Sequence, residues 1–276
     1  MFGNTAPRTR ASGAVNILEL IYHSTVRSIR KKHGNAFLSI FISVLQSLLF
    51  VTFFYVMFSI LGLKGIALRG DFVIFLLTGI FMFMTHNKAV AAVLGAEGPT
   101  SAMMQHAPMN TFISIVSSML GILYIQTLSV IIILFVYDVA VNPYVLTEVI
   151  DPMPVIGMFL LSWVSGGAVG LVFFALQPWF PVFVSMASQI YRRANMIASG
   201  KMFVANSLPG SMIAFFDWNP LFHTIDQARG YAFINYVPRN TNWEYVAYLT
   251  LALLMIGLMG EFYTRRHASV SWAARR

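Results

Sequence analysis

The side chains best suited to chemistry in this chain are cations placed where charge is costly. Arg192, Arg193 and Lys201 fall in YRRANMIASGKMF, inside a stretch that is otherwise apolar over residues 179–204. A guanidinium in hydrocarbon costs at least about 2.5 to 3.5 kcal/mol on insertion scales, so it pairs, snorkels or faces a polar cavity. Two readings stand for the arginine pair. In one, Arg192 or Arg193 meets an anionic substrate on its path. In the other, the pair marks the start of a shorter span, with residues 179–191 in the interface or cytosol.

A second polar group follows in LPGSMIAFFDWNPLFHTIDQARGYAFINY, residues 208–236, which holds Trp218, Asn219, Pro220, His223, Asp226 and Arg229. Asn219 before Pro220 is a strong helix start, an N-cap and then the first helical position. Leu221, Phe222, Ile225 and Phe233 then form an apolar face beneath Asp226 and Arg229. At i and i+3 these two charges can pair with each other, which is favoured over contact with substrate. Pro209, Gly210 and Pro220 divide the segment into pieces of about 10 to 15 residues, too short to span. The expectation is a pair of re-entrant or interfacial half-helices whose irregular backbone is buried or lines water.

Other chemistries fail on spacing. No G-x-x-x-x-G-K-[ST] phosphate loop exists, and the glycines of SGGAVG, residues 165–170, lie within an apolar span with no following lysine. The six histidines form no H-x-x-x-H pair, so no metal is expected. No G-x-S-x-G elbow occurs, and the ten acidic residues are scattered without an acid/base couple. Cysteine is absent, which removes disulfides and thiolate chemistry.

The elements that must position these residues are membrane helices. Hydrophobic residues make up 58% of the 276 and charged residues 10%, with mean hydropathy +0.72, against roughly a quarter charged in soluble domains. So few charges cannot clothe a water-soluble surface of this size. Runs long enough for a bilayer core cover residues 36–61, 72–92, 112–137, 155–176, 179–204 and 245–260, predicting six spans. The fold class expected is an all-α membrane protein with six transmembrane helices, an N-terminal amphipathic interface helix and two re-entrant outer half-helices. Its parts are a basic segment 1–35, a transmembrane domain 36–264 with re-entrant segment 207–236, and a basic tail 265–276.

Orientation follows from the basic residues. The chain holds 18 Lys and Arg against 10 Asp and Glu, a net charge of +8. Ten of the 18 lie in the terminal segments, including Arg27, Arg30, Lys31 and Lys32 before the first span and Arg265 and Arg266 after the last. Both termini are therefore expected in the cytoplasm, which requires an even number of spans. The loop after the third span carries Asp138, Glu148 and Asp151 and no Lys or Arg, which suits the outer side.

The leader is expected to be no cleavable signal, because the apolar run after it is far longer than a signal core. Ala14, Ile17, Leu18, Ile21 and Thr25 share one helical face, off which lie Glu19, Arg27, Arg30 and Lys31. That pattern reads as an interfacial amphipathic helix or as a basic flank that only fixes orientation. The loop GAEGPTSAMMQHAPMN, residues 95–110, has room for one or two helical turns. Without a dense basic patch on a polar domain, the high pI does not point to nucleic acid. The aromatics, 14% of the chain, are expected mostly in lipid contact, packing and interface belts rather than stacked on sugar rings.

In this order the features resemble the ABC-2 type permeases that export capsular polysaccharide and related glycolipids. The likeness is carried by Arg193, Ser199-Gly200, Phe203, Leu208-Pro209, Trp218-Asn219-Pro220-Leu221, His223 and Arg229, which match the family's Arg, SG-x-x-F, LP, and NPL-x-H with a downstream Arg. Lys201 departs from the apolar residue expected after the SG pair.

The resemblance implies an inner-membrane transport subunit, not an enzyme, that forms a homodimer with a second copy of itself. A separate nucleotide-binding ATPase subunit would supply ATP and Mg, with no cofactor in this chain. Periplasmic polysaccharide co-export proteins and an acidic glycan would complete the partners. Arg193 would lie near the glycan route and residues 219–229 would shape the exit, while Arg192, Arg193 and Lys201 together would favour an acidic glycan. Glu97, Gln105 and His106 in the 95–108 element would couple to the ATPase. Rival readings are an ABC-2 permease for a lipid, teichoic-type polymer or drug, and a membrane-embedded transferase.

Overall fold

The computed structural model describes residues 10–30, 34–62, 68–98, 110–143 and 145–267. Lys31, Lys32, Gln105 and His106 lie outside them. The described residues are helical and contain no strand, running α1 Arg10–Arg30, α2 Ala36–Ile60, α3 Phe72–Leu94, α4 Thr111–Ala140, α5 Pro152–Leu176, α6 Pro181–Ala198, α7 Gly210–Ile213, α8 Pro220–Ala232 and α9 Trp243–His267.

Helices begin where local chemistry satisfies their first amides. Asn35 Oδ1 accepts from Phe37 N at 3.0 Å, and Asp71 Oδ1 from Val73 N and Ile74 N at 2.7 and 3.2 Å. Asn110 Oδ1 takes Phe112 N at 3.3 Å and Asn219 Oδ1 takes Leu221 N at 2.9 Å. Proline at the first position, with no N–H to satisfy, opens α5, α6 and α8.

Five helices are long and apolar enough to cross a bilayer: α2, α3, α4, α5 and α9. The chain is a multi-pass membrane protein. The sixth expected span, 179–204, is shorter than its apolar run. It forms α6, an 18-residue helix whose Ser, Gln, Arg and Asn residues keep it out of that group. It stops at Ala198 because Gly200 takes φ +71° and turns the chain back into the bundle. The left-handed region suits glycine, and a Cβ there would also meet Phe222 Cδ2 at 2.9 Å. The last span runs further than its apolar core, through Arg265 and Arg266.

The core is centred on α3, whose most apolar window is 83% buried, against 17% for α9. Phe54, Phe75, Leu76, Ile80 and Phe81 fill the space between α2 and α3. α5 lies against α3 through Gly166 and Gly170, one turn apart. A Cβ on Gly166 would lie 2.5 Å from the His86 carbonyl oxygen, and one on Gly170 2.9 Å from that of Val90. Small residues four apart let two membrane helices approach backbone to backbone.

Polar bonds tie the two ends of the bundle. At one end Asp71 Oδ2 accepts from Tyr137 Oη at 2.9 Å and Asn142 Nδ2 at 3.0 Å, and Asp151 N donates to the Tyr231 carbonyl at 3.1 Å. At the other, Thr111 Oγ1 donates to Glu261, Trp179 Nε1 donates to Thr264 Oγ1 at 2.9 Å, and Arg265 pairs with Glu261 at 3.9 Å. The acidic loop and α8 thus share one end, while Arg265 and Arg266 share the other with α1. α1 lies on α4, with Ser117 Oγ donating to the Ile21 carbonyl at 3.2 Å. Of its expected apolar face, Ile17 and Leu18 are exposed, while Ile21 and Thr25 turn toward the bundle.

The segment after α6 departs from two half-helices of similar length. Only α7, of four residues, forms where the first was expected, and hydrogen-bonded turns carry Phe215 and Phe216 into α8. The second is the 13-residue α8, buried except along the half-buried stripe of Gln227, Gly230 and Tyr231.

Candidate functional site

The polar residues converge on the turn where α6 ends and α8 begins. Asn195 on α6 is fully buried. Its Nδ2 donates to Asn87 Oδ1 on α3 at 3.1 Å, and its Oδ1 accepts from Asn219 Nδ2 at 3.1 Å. Asn219 also donates to the Ala198 carbonyl at 3.0 Å, and Asn87 Nδ2 to that of Arg192 at 3.3 Å. Three amides thus form a ladder across α3, α6 and the cap of α8. One turn away, buried His86 reaches Tyr191 Oη at 2.8 Å through Nε2, and the Ser162 carbonyl and Ser165 Oγ at 3.1 Å through Nδ1. This polar seam holds α6 to the bundle.

Beneath it, Arg229 is 1% exposed. Its Nη1 donates to the carbonyls of Gly200 and Phe203 at 2.9 and 2.6 Å, and its Nη2 to that of Lys201 at 2.7 Å. The guanidinium lies 4.0 Å from the Phe75 ring centroid. A planar fork meeting three carbonyls is a geometry lysine cannot copy. Asp226, 2% exposed, accepts from Ala205 N at 3.2 Å, Thr241 Oγ1 at 2.8 Å and the Tyr236 hydroxyl. Burial, reinforced by that carboxylate, holds the Tyr236 phenol well above its ordinary range. Asp226 and Arg229 therefore lie inside the bundle rather than above an apolar face. Their hydrogen bonds go to different partners, because the 200–203 turn presents three carbonyls to the guanidinium.

The three cations expected on one path separate. Lys201 is buried, donates to the Met196 carbonyl, and places Nζ 4.3 Å from the Phe83 ring centroid, inside the packing of α2 and α3. Arg192 is half-buried, with Nε donating to the Ser188 carbonyl at 3.3 Å. Arg193 is exposed, on the same face of α6 as exposed Met186, Ile190 and Ile197. α6 continues through both arginines, so neither begins a helix. Trp218 and His223 line a cleft at the α8 end of the bundle, while Asn219 and Pro220 are buried. At the opposite end Arg27 and Glu97 line one cavity of about 410 Å³ between α1, α3 and α4, and Arg30 is exposed at the end of α1.

A further cation, Lys88, was not singled out by sequence beyond its place late in the second span. Its Nζ donates to Gln126 Oε1 at 2.6 Å and Ser43 Oγ at 3.1 Å, joining α2, α3 and α4. The run Thr85-His86-Asn87-Lys88 in an apolar span was the available signal for this centre and for the seam.

No protein-family model matches the chain. It is similar to two proteins of Escherichia coli, each described as polysialic acid transport protein KpsM. Identity is 24% over 201 residues in both cases, which is 73% of this chain and 76% of the relative.

Proposed function

We propose that the chain is the inner-membrane permease subunit of an ATP-driven ABC transporter that exports an acidic, lipid-linked or capsular polysaccharide. The observation that carries this reading is Arg193, exposed on a face of α6 where its exposed neighbours are Met186, Ile190 and Ile197, with Gln189 as the one other polar side chain among them. A guanidinium facing lipid mid-helix is costly, whereas one facing a water-filled conduit is not. Such a conduit needs a second wall, and a second copy of the chain supplies it. Similarity to a protein that transports polysialic acid, an anionic polymer, supports the cargo class.

In this reading α6 is the sixth span. Its 18 residues extend about 27 Å, close to the hydrocarbon thickness. Six crossings place both termini on one side, the cytoplasm, where α1, Arg265 and Arg266 meet lipid headgroups or the motor. α7 and α8 form the re-entrant element at the outer face, with their irregular backbone buried in protein. A separate ATPase subunit binds ATP and Mg and acts through the 95–108 element and α1. Periplasmic co-export proteins receive the polymer.

Affinity purification of the chain from its native membrane tests the class. A nucleotide-binding subunit is expected with it, and Arg193→Ala should lower surface polysaccharide while leaving the amount of inserted protein unchanged. A chain that purifies without an ATPase but with a transferase activity refutes the proposal.

A further inference from the structure

The α8 end of the bundle carries a cleft that the polar seam does not use. It has a volume of about 720 Å³ and lies between the α7–α8 turn and the linker from α8 to α9. Trp218 and Tyr245, 50% and 37% exposed, line it with Asp217, His223, Arg239 and Asn240. Both aromatic rings are anchored by their polar atoms. Trp218 Nε1 donates to the Phe215 carbonyl at 2.7 Å, and Tyr245 Oη donates to the Trp218 carbonyl at 3.0 Å.

His223 ties the walls together. Its Nδ1 accepts from Asn242 N at 3.0 Å, which leaves Nε2 to donate to the Asp217 carbonyl at 2.7 Å, and its ring lies 4.9 Å from that of Tyr245. The backbone of Arg239 is held by Asn206, whose Oδ1 accepts from Arg239 N at 3.2 Å. The charged ends of Asp217 and Arg239 are exposed. Among the described residues neither is spent in an ion pair or side-chain hydrogen bond.

Fixed aromatic faces beside unspent polar groups define a ligand class. A pyranose ring lays its C–H face on an aromatic ring and turns its hydroxyls outward to carboxylate and amide groups. A sugar carboxylate matches the planar fork of an arginine. A protein partner would instead call for an apolar, closable centre, and apart from Ala214 the rest of this lining is polar or charged. We infer that this cleft binds acidic sugar residues of the cargo, with Trp218 and Tyr245 as the stacking platform, Arg239 on the sugar carboxylate, and Asp217 with Asn240 on hydroxyls. The inference rests on the export reading above and adds to it a binding subsite at the end opposite Arg265.

The test uses the full chain in lipid nanodiscs, titrated with a sialic acid tetramer and, as the neutral counterpart, maltotetraose. The acidic tetramer should bind the more tightly. Trp218→Ala should weaken it about tenfold, and Trp218→Phe should restore most of that loss. Arg239→Gln should weaken the acidic tetramer about tenfold and leave maltotetraose unchanged. Wild-type binding by both Trp218→Ala and Arg239→Gln overturns the inference, as does equal binding of the two tetramers with no effect of Arg239→Gln. Photo-crosslinking from position 240 to a second protein, lost in Trp218→Ala while sugar binding stays intact, assigns the cleft to protein docking and overturns it as well. Surface polysaccharide and ATPase recruitment are measured alongside. If wild type shows neither, the export reading itself fails. If it shows both and the variants bind sugar normally, only the cleft assignment fails.

Discussion

Replacing Gly166 by alanine should force α3 and α5 apart. The added Cβ would lie 2.5 Å from the His86 carbonyl oxygen, 2.9 Å from its Cα and 3.0 Å from its carbonyl carbon. Carbon–oxygen contacts settle at about 3.3 to 3.6 Å, so the helices must separate by about 0.8 Å. All three obstacles are backbone atoms that cannot rotate aside. Overpacking of this kind costs about 1–3 kcal/mol, and a gap of that width forfeits roughly a quarter to a half of the dispersion at each contact it opens. The control is Gly157→Ala in the same helix, where the added Cβ meets nothing within 4 Å. Thermal unfolding in nanodiscs, followed by intrinsic fluorescence, should show Gly166→Ala melting about 2–10 °C below wild type. Gly157→Ala should match wild type or exceed it, since alanine favours helix over glycine. A Gly166→Ala protein as heat-stable as Gly157→Ala refutes the claim that the two backbones touch at this point.

Three further outcomes follow from the buried polar groups. Arg229→Lys keeps the charge but cannot span the carbonyls of Gly200, Lys201 and Phe203, and should destabilise by about 2–4 kcal/mol, read as lost yield of monodisperse protein. Asn195→Ala strands amide groups on Asn87 and Asn219 and should cost about 1–3 kcal/mol. The double variant with Asn87→Ala should cost less than the sum, a coupling of about 1 kcal/mol measured by thermal unfolding. Tyr236→Phe removes a donor to Asp226 and should cost about 1–3 kcal/mol. Because the folded state raises the Tyr236 pKa, its contribution is complete below the unfolded value of about 10 and is lost as pH rises above it. An unfolding series across pH 8–11 should therefore steepen in wild type and lose that component in Tyr236→Phe.

The long helices were legible because apolar length is a local property. The runs expected from 36, 72 and 112 begin within a residue of the helices that Asn35, Asp71 and Asn110 cap. The segment after α6 was less legible for two physical reasons. Its apolar content implied helix for residues such as Phe215 and Phe216, but both lie in turns, Phe215 exposed and Phe216 tilted against Phe203 and Phe222. The placement of Asp226 and Arg229 above an apolar face assumed that charge seeks water. Here the neutralising groups are backbone carbonyls 26 to 29 residues away and hydroxyls 10 to 15 residues away, which no helical spacing discloses. The His86–Tyr191 bond crosses 105 residues and was hidden for the same reason. The NPL-x-H run, by contrast, gave the start of α8 to the residue, because a cap and a proline act within one turn.

The three-amide ladder of Asn87, Asn195 and Asn219 has a consequence for how α6 is fastened. No member carries net charge, so the joint does no electrical work when it opens or closes. A full charge moved through the membrane field would cost about 2.3 kcal/mol per 100 mV. A fastener made of arginine and carboxylate would stiffen or slacken with membrane energisation and ionic strength, and would attract any polyanion passing it. An amide fastener is indifferent to voltage and salt and offers an anion no counter-charge. Its strength is set by hydrogen-bond geometry, independently of the charges that Arg192 and Arg193 carry elsewhere on α6.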